Sequence, residues 1–224
     1  MTNHCGLPEL ALNADGLRAA ELRTMFLSEP EVSPQKRKWR RWLVHCLIKA
    51  SRHYKAARTL IEADVAEQLR PAAALAEGRL LYVLDFGLEM EDCITSLEKI
   101  SQCLRTLSLR GDVTAVNLLA LADQTRMLNA FRRQQEHMHE HLAAGQTGDG
   151  PIILAISEDG DHLKLRKLKM PLTAIHQIIQ AAYLDVAALV PGFDPESRQT
   201  QYHGPVNISV SSEMTVVVGG PASN

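Results

Sequence analysis

The sequence predicts a mainly α protein, an antiparallel helical bundle with a small β-hairpin before its last helix. Three observations predict it. Apolar residues recur at helical spacing through most of residues 34 to 143. After the Gly-rich break "GQTGDG" the period changes to that of strands over residues 151 to 169. From Pro171 helical spacing returns and is closed by Pro191.

Residues 1–33 read as an N-terminal arm and linker, with one short amphipathic piece from about Leu17 to Leu27 before "SEPEVSP". Residues 34–190 read as the bundle domain, since 224 residues hold one well-packed core with appendages. Ser33 is placed to N-cap its first helix, with Pro34 at the first helical position, where a missing N–H costs nothing. The apolar stripe of that helix is Trp39, Trp42, Leu43, Cys46, Leu47, Ala50, Tyr54, Ala57, Leu60 and Ile61, ending near Gln68.

Pro71 opens a second helix, whose period runs from Leu80 through Leu84, Leu88, Cys93, Ile94, Leu97 and Ile100 to about Leu107. Gly78 and Gly87 are candidate bends within it. Asp112 is placed to cap a third helix reaching about Ala143, with Val116, Ala120, Met127, Phe131, Met138 and Leu142 facing inward. The hairpin comprises "PIILAIS", the turn "EDGD" and "HLKLRKLK", in which Leu163 and Leu165 alternate with Lys164 and Arg166. Leu172, Ile175, Ile178, Ile179, Ala182, Val186 and Leu189 form the stripe of the last helix. Residues 191–224 read as a C-terminal tail, with edge strands at Val206–Val210 and Val216–Val218 as one option and loose order as the other.

Composition excludes several classes of function. The 24 Lys+Arg nearly balance 26 Asp+Glu, so any charged binding surface must be local. Four separated cysteines, Cys5, Cys46, Cys93 and Cys103, read as reduced thiols and a cytoplasmic setting. No run approaches the roughly 20 apolar residues of a membrane span, so no membrane partner is expected. Phosphate-binding Gly loops and cofactor boxes are absent from the pattern, and no cofactor is assigned.

Two constellations carry chemistry. Between Lys36 and Arg58 stand nine Lys or Arg and no acid: Lys36, Arg37, Lys38, Arg40, Arg41, Lys49, Arg52, Lys55 and Arg58. Such a stripe attracts polyanions, because each cation that meets a phosphate releases condensed counterions. The bland reading is a solvated face matched by acids such as those of "LEMED". Lys164, Arg166, Lys167 and Lys169 of the hairpin extend the basic track or merely guard an edge.

The second constellation is "FRRQQEHMHEH", residues 131 to 141. At about 100° per residue its polar groups form two rows, Arg132, Glu136 and His139 on one side of Phe131, and Arg133, His137 and His141 on the other. His137 and His141 are spaced to share a metal ion, with a third ligand to come from His45, His53, His162 or His176. His139-Glu140 opens like H-E-x-x-H, but Ala143 stands where the second histidine belongs, and no metal is assigned. The other chemistry is proton transfer on a phosphodiester, histidine moving the proton while arginine stabilises the charge on phosphorus.

Arg132-x4-His137 near the end of a late core helix, within "FRRQQEHMHEHLAAGQTGDG", resembles the HEPN superfamily, whose hallmark is Arg-x(4 to 6)-His. The resemblance spans roughly residues 34 to 190. It implies a homodimeric, RNA-binding, metal-independent endoribonuclease of toxin–antitoxin or defence type that leaves a 2′,3′-cyclic phosphate. It also implies an antitoxin or other protein partner. By the same resemblance Arg132 would stabilise phosphate and His137 would act as general acid/base. Arg133 departs from the small polar residue often found after the motif arginine. It shares a row with His137, while Arg132 lies about 140° from that histidine, so either Arg132 or Arg133 is the working arginine. Several members of that superfamily keep the bundle without catalysis. The alternative is therefore a non-catalytic helical module that dimerises or binds a protein.

Overall fold

The computed structural model describes residues 4–26, 31–71, 82–146, 148 and 150–196. It is mainly helical, with a small three-stranded antiparallel sheet ahead of the last helix. Helix α1 spans Ala14–Phe26, α2 Pro34–Gln68, α3 Val83–Leu109, α4 Val116–Leu119, α5 Ala122–Glu136, α6 Met138–Ala143 and α7 Leu172–Ala187. Strands β1 (Ala155–Ile156), β2 (His162–Leu165) and β3 (Leu168–Pro171) pair in that order.

Helix α2 starts where its sequence dictates. Ser33 Oγ accepts a hydrogen bond from Lys36 N at 3.2 Å, satisfying one of the orphan donors of the first turn, and Pro34 follows it. Its 35 residues extend about 52 Å at 1.5 Å each, and α3 lies along it. The two run antiparallel, since Lys49 pairs with Asp92 while His53, further along α2, pairs with the earlier Glu89. Between them Leu43, Leu47, Ala50, Tyr54 and Ile61 meet Phe86, Met90, Ile94, Leu97 and Ile100, all buried. Each large apolar side chain so buried contributes about 1.5–3 kcal/mol, which outweighs the weak intrinsic preference of any single helix.

Residues 4–26 of the expected arm are part of this core. Leu7, Leu10, Leu17 and Ala20 are buried, and the Tyr54 hydroxyl and Arg58 guanidinium donate to the carbonyls of Pro8 and Leu7. Asn13 Oδ1 caps α1 by accepting from Gly16 N at 2.9 Å. Helix α3 passes through Gly87 unbroken. The glycine serves a close approach instead, for a Cβ there would lie 3.0 Å from the Leu154 carbonyl oxygen. Pro71 is described, but residues 72–81, with Gly78, and the edge strands expected at 206–210 and 216–218 lie outside the described residues.

The third expected helix is three pieces. Leu121 (φ −102°, ψ 37°) separates α4 from α5, and His137 (φ −97°, ψ 10°) separates α5 from α6. Asp112 caps none of them. Asp185 of α7 reaches across instead and accepts from the backbone N–H of Asn117 and Leu118 at 3.1 and 2.8 Å, beginning α4. The breaks shift the register of the inward stripe. Leu128 and Phe131 are buried and Met127 and Met138 half-buried, whereas Val116, Ala120 and Leu142 are exposed.

The hairpin is also divided further than its sequence suggests. "HLKLRKLK" turns back on itself at Arg166-Lys167, where Arg166 takes φ 52°, so Leu163 pairs with Met170 as well as with Ile156. Gly150 (φ 133°) packs beneath this turn, and a Cβ on it would stand 2.8 Å from the Arg166 carbonyl oxygen. Leu163, Leu165 and Met170 face the core.

Candidate nucleic-acid interface

The basic stripe of α2 is divided by the packing of α1. Arg40 lies about 20° from Leu47 around the helix axis, in the middle of the buried face, and is 1 % exposed. Its Nε donates to Glu21 Oε2 at 2.7 Å and its Nη2 to Thr24 Oγ1 at 2.8 Å, so an arginine expected on the solvated face is instead a buried clamp between α1 and α2. Trp42 moves the other way. It is about 140° from Leu47 and 48 % exposed, although its sequence neighbourhood placed it in the apolar stripe.

Between α1 and α2 opens a cleft of about 490 Å³. Arg18 enters it from α1, and Arg41, His45, Lys49, Arg52 and His53 enter from α2. Glu21 is the one carboxylate among the lining residues. It is engaged by Arg40 and lies 3.5 Å from Arg41 Nε. Among the described residues no carboxylate is ion-paired with Arg18 or Arg52. Arg18 was outside the stripe read from sequence, and only the packing of α1 brings it in.

The acids of "LEMED" act where the basic helix passes them. Lys49 Nζ donates to Asp92 Oδ1 at 2.7 Å, and His53 Nδ1 lies 2.6 Å from Glu89 Oε2, with its Nε2 3.9 Å from Asp92 Oδ2. The hydrogen bond from Lys49 holds the Asp92 carboxyl below its ordinary range, against the opposing effect of partial burial, with the charges of Lys49 and His53 adding to it. Lys49 is thus partly neutralised at one edge of the cleft.

The Arg/His motif residues do not converge on one site. The Arg132 guanidinium is bonded to Glu98 of α3, whose side chain is 2 % exposed, and to Glu136 Oε1 at 2.7 Å. Partial burial works against its charge, but the hydrogen bonds and charges of Glu136 and Glu98 prevail and raise its proton affinity further. Arg132 is 26 % exposed and spent on those two carboxylates. Arg133 is exposed, and its carbonyl accepts from His137 N at 3.1 Å. His137 stands at the α5–α6 break, 54 % exposed, with Nδ1 3.1 Å from Glu140 Oε2. His139 is exposed beside Glu140, and His141 is half-buried. Among the described residues no group of three or more His, Cys, Asp or Glu gathers in metal-binding geometry.

Elsewhere, Lys169 lies 3.5 Å from Asp159 and Arg166 donates to the Gln146 carbonyl. All four cysteines are free, and burial raises each thiol above its usual range. No described helix is long and apolar enough to cross a membrane. No family model, curated protein or solved structure matches the chain.

Proposed function

We propose that this chain is an RNA-binding helical module whose α1–α2 cleft receives phosphates. The observation that carries this reading is the convergence of Arg18, Arg41 and Arg52 on a cleft whose one lining carboxylate, Glu21, already serves Arg40. Such a surplus of positive charge in a concave site recruits a polyanion electrostatically, even on a chain of net charge −2.

The test is fluorescence anisotropy of labelled RNA over a salt series. Binding should fall steeply with salt, and Arg18→Ser with Arg52→Ser should lower the slope by about one for each phosphate contact removed. Salt-independent binding, or a slope unmoved by both substitutions, overturns the reading.

The exposed Arg133 and His137 support a second, catalytic reading. In it the chain is a HEPN-like metal-independent endoribonuclease of toxin or defence type. Arg133, free of the carboxylates that hold Arg132, steadies the phosphate, and His137 moves the proton. A second copy would enclose this open site, and an antitoxin or other protein would cover it. The free thiols suit a cytoplasmic setting for either reading. RNA cleavage in EDTA, lost in Arg133→Ala and His137→Ala at unchanged stability, supports it. Intact RNA in the presence of bound wild-type protein leaves the non-catalytic module.

A further inference from the structure

We infer that Trp42 is a base-stacking platform and that the preferred ligand of the α2 face is therefore a single-stranded RNA. This rests on the RNA-binding reading and sharpens it.

Half-exposed tryptophan on the outer side of a helix leaves apolar area in water with no core to gain from it. Among the described residues Trp42 has one aromatic neighbour. The His45 ring stacks against it with centroids 6.1 Å apart and planes at 25°, and His45 is itself a wall of the basic cleft. The indole and the cleft are thus joined through one side chain.

The surroundings decide what such a ring would bind. Arg41, His45 and Lys49 follow one another at single-turn intervals along α2, about 5–6 Å apart at Cβ, and Lys38 lies one turn before Trp42. An aromatic face flanked by Lys38 and Arg41, beside a cleft that also holds Arg18 and Arg52, matches a ligand that alternates phosphates with exposed π-faces. Single strands offer both, whereas a duplex hides its bases within the stack and presents only its backbone and grooves. An apolar protein surface would leave the cations unmatched on burial.

The full chain contains two tryptophans, Trp39 and Trp42, so Trp39→Phe isolates the emission of Trp42. That variant is titrated with a 12-nucleotide oligo(U), a duplex of the same length, inorganic polyphosphate and poly-glutamate. The expected result is quenching of Trp42 by oligo(U), tighter binding of oligo(U) than of duplex, and about a tenfold loss of oligo(U) affinity in Trp42→Ala, a loss smaller in Trp42→Phe, with the affinities of these two variants read by anisotropy of labelled oligo(U) and its displacement by the other ligands. Polyphosphate reports the cations alone, and its retained binding in Trp42→Ala separates the platform from the cleft.

Equal binding of duplex and single strand, or wild-type oligo(U) affinity in Trp42→Ala, overturns the platform while leaving the RNA-binding reading intact. Failure of every nucleic acid and of polyphosphate to bind overturns both. Quenching by poly-glutamate at comparable affinity reassigns the face to an acidic protein and overturns the inference. Urea midpoints of each variant confirm that the fold is kept.

Discussion

The Arg132 guanidinium on α5 is held by the Glu98 carboxylate on α3, and Glu98 is almost wholly buried. Gln102 also donates to that carboxylate. A charge so far from water is tolerated only with its partners in place. The arginine that the sequence motif offers for catalysis is thereby a tie between two core helices.

Arg132→Ala should therefore act on stability. Removal leaves Glu98 buried and without its cation, at an expected cost of about 2–3 kcal/mol, below the ~3–5 of a fully buried pair because Arg132 is partly exposed. Glu136→Ala, which removes the exposed partner, should cost less than about 1 kcal/mol. Urea denaturation of the two variants distinguishes them, and equal effects would refute the tie. Any loss of RNA function in Arg132→Ala has to be corrected for this unfolding.

Asp185 makes a comparable prediction at the opposite end of the motif segment. Its carboxylate caps α4 through two backbone N–H groups and the Asn117 side-chain amide, the last at 2.8 Å. Asp185→Ala should destabilise the fold by about 1–3 kcal/mol, since donors that were paired lose their acceptor. Amide hydrogen exchange at Asn117 and Leu118 should accelerate ahead of the rest of the core. Unchanged protection there would show that α4 holds itself.

Lys49 and Asp92 give the pH dependence. The Asp92 carboxyl is depressed by the Lys49 hydrogen bond, so its contribution to stability is complete above the ordinary carboxylate value of 3.8 and is lost as pH falls through the lower folded value. The carboxyl resonance of Asp92, followed by NMR, should titrate below that ordinary value and move up toward it in Lys49→Met. A midpoint unmoved by the substitution would assign the depression to His53 and Lys99.

The helices themselves were legible in the sequence wherever period and capping agreed. Ser33-Pro34 begins α2, and the 3.6-residue rhythm of Leu43, Leu47, Tyr54 and Ile61 buries the face it predicts. Arg40 was legible too, because it shares the phase of that rhythm, but a charged residue was assigned to solvent by type and not by angle. Trp42 was misplaced for the converse reason. The turn at Arg166 had no signal, since it lacks the Gly or Asn that usually marks a left-handed residue.

The amino-acid order alone determined a mainly helical chain with strands before its last helix, a basic α2 and an Arg/His-rich helix near residue 137, all of them local patterns of spacing and charge. Tertiary structure decided which charges are available. Glu21 on α1 removes Arg40 from the surface and Glu98 removes Arg132, while α1 adds Arg18 to the cleft and the break at His137 turns that histidine out. The pairings of Arg40 and Arg132 depend on residues 19 and 34 positions apart meeting across helices, and on the cost of burying a charge without its partner. Neither is written in the spacing of neighbours along one helix.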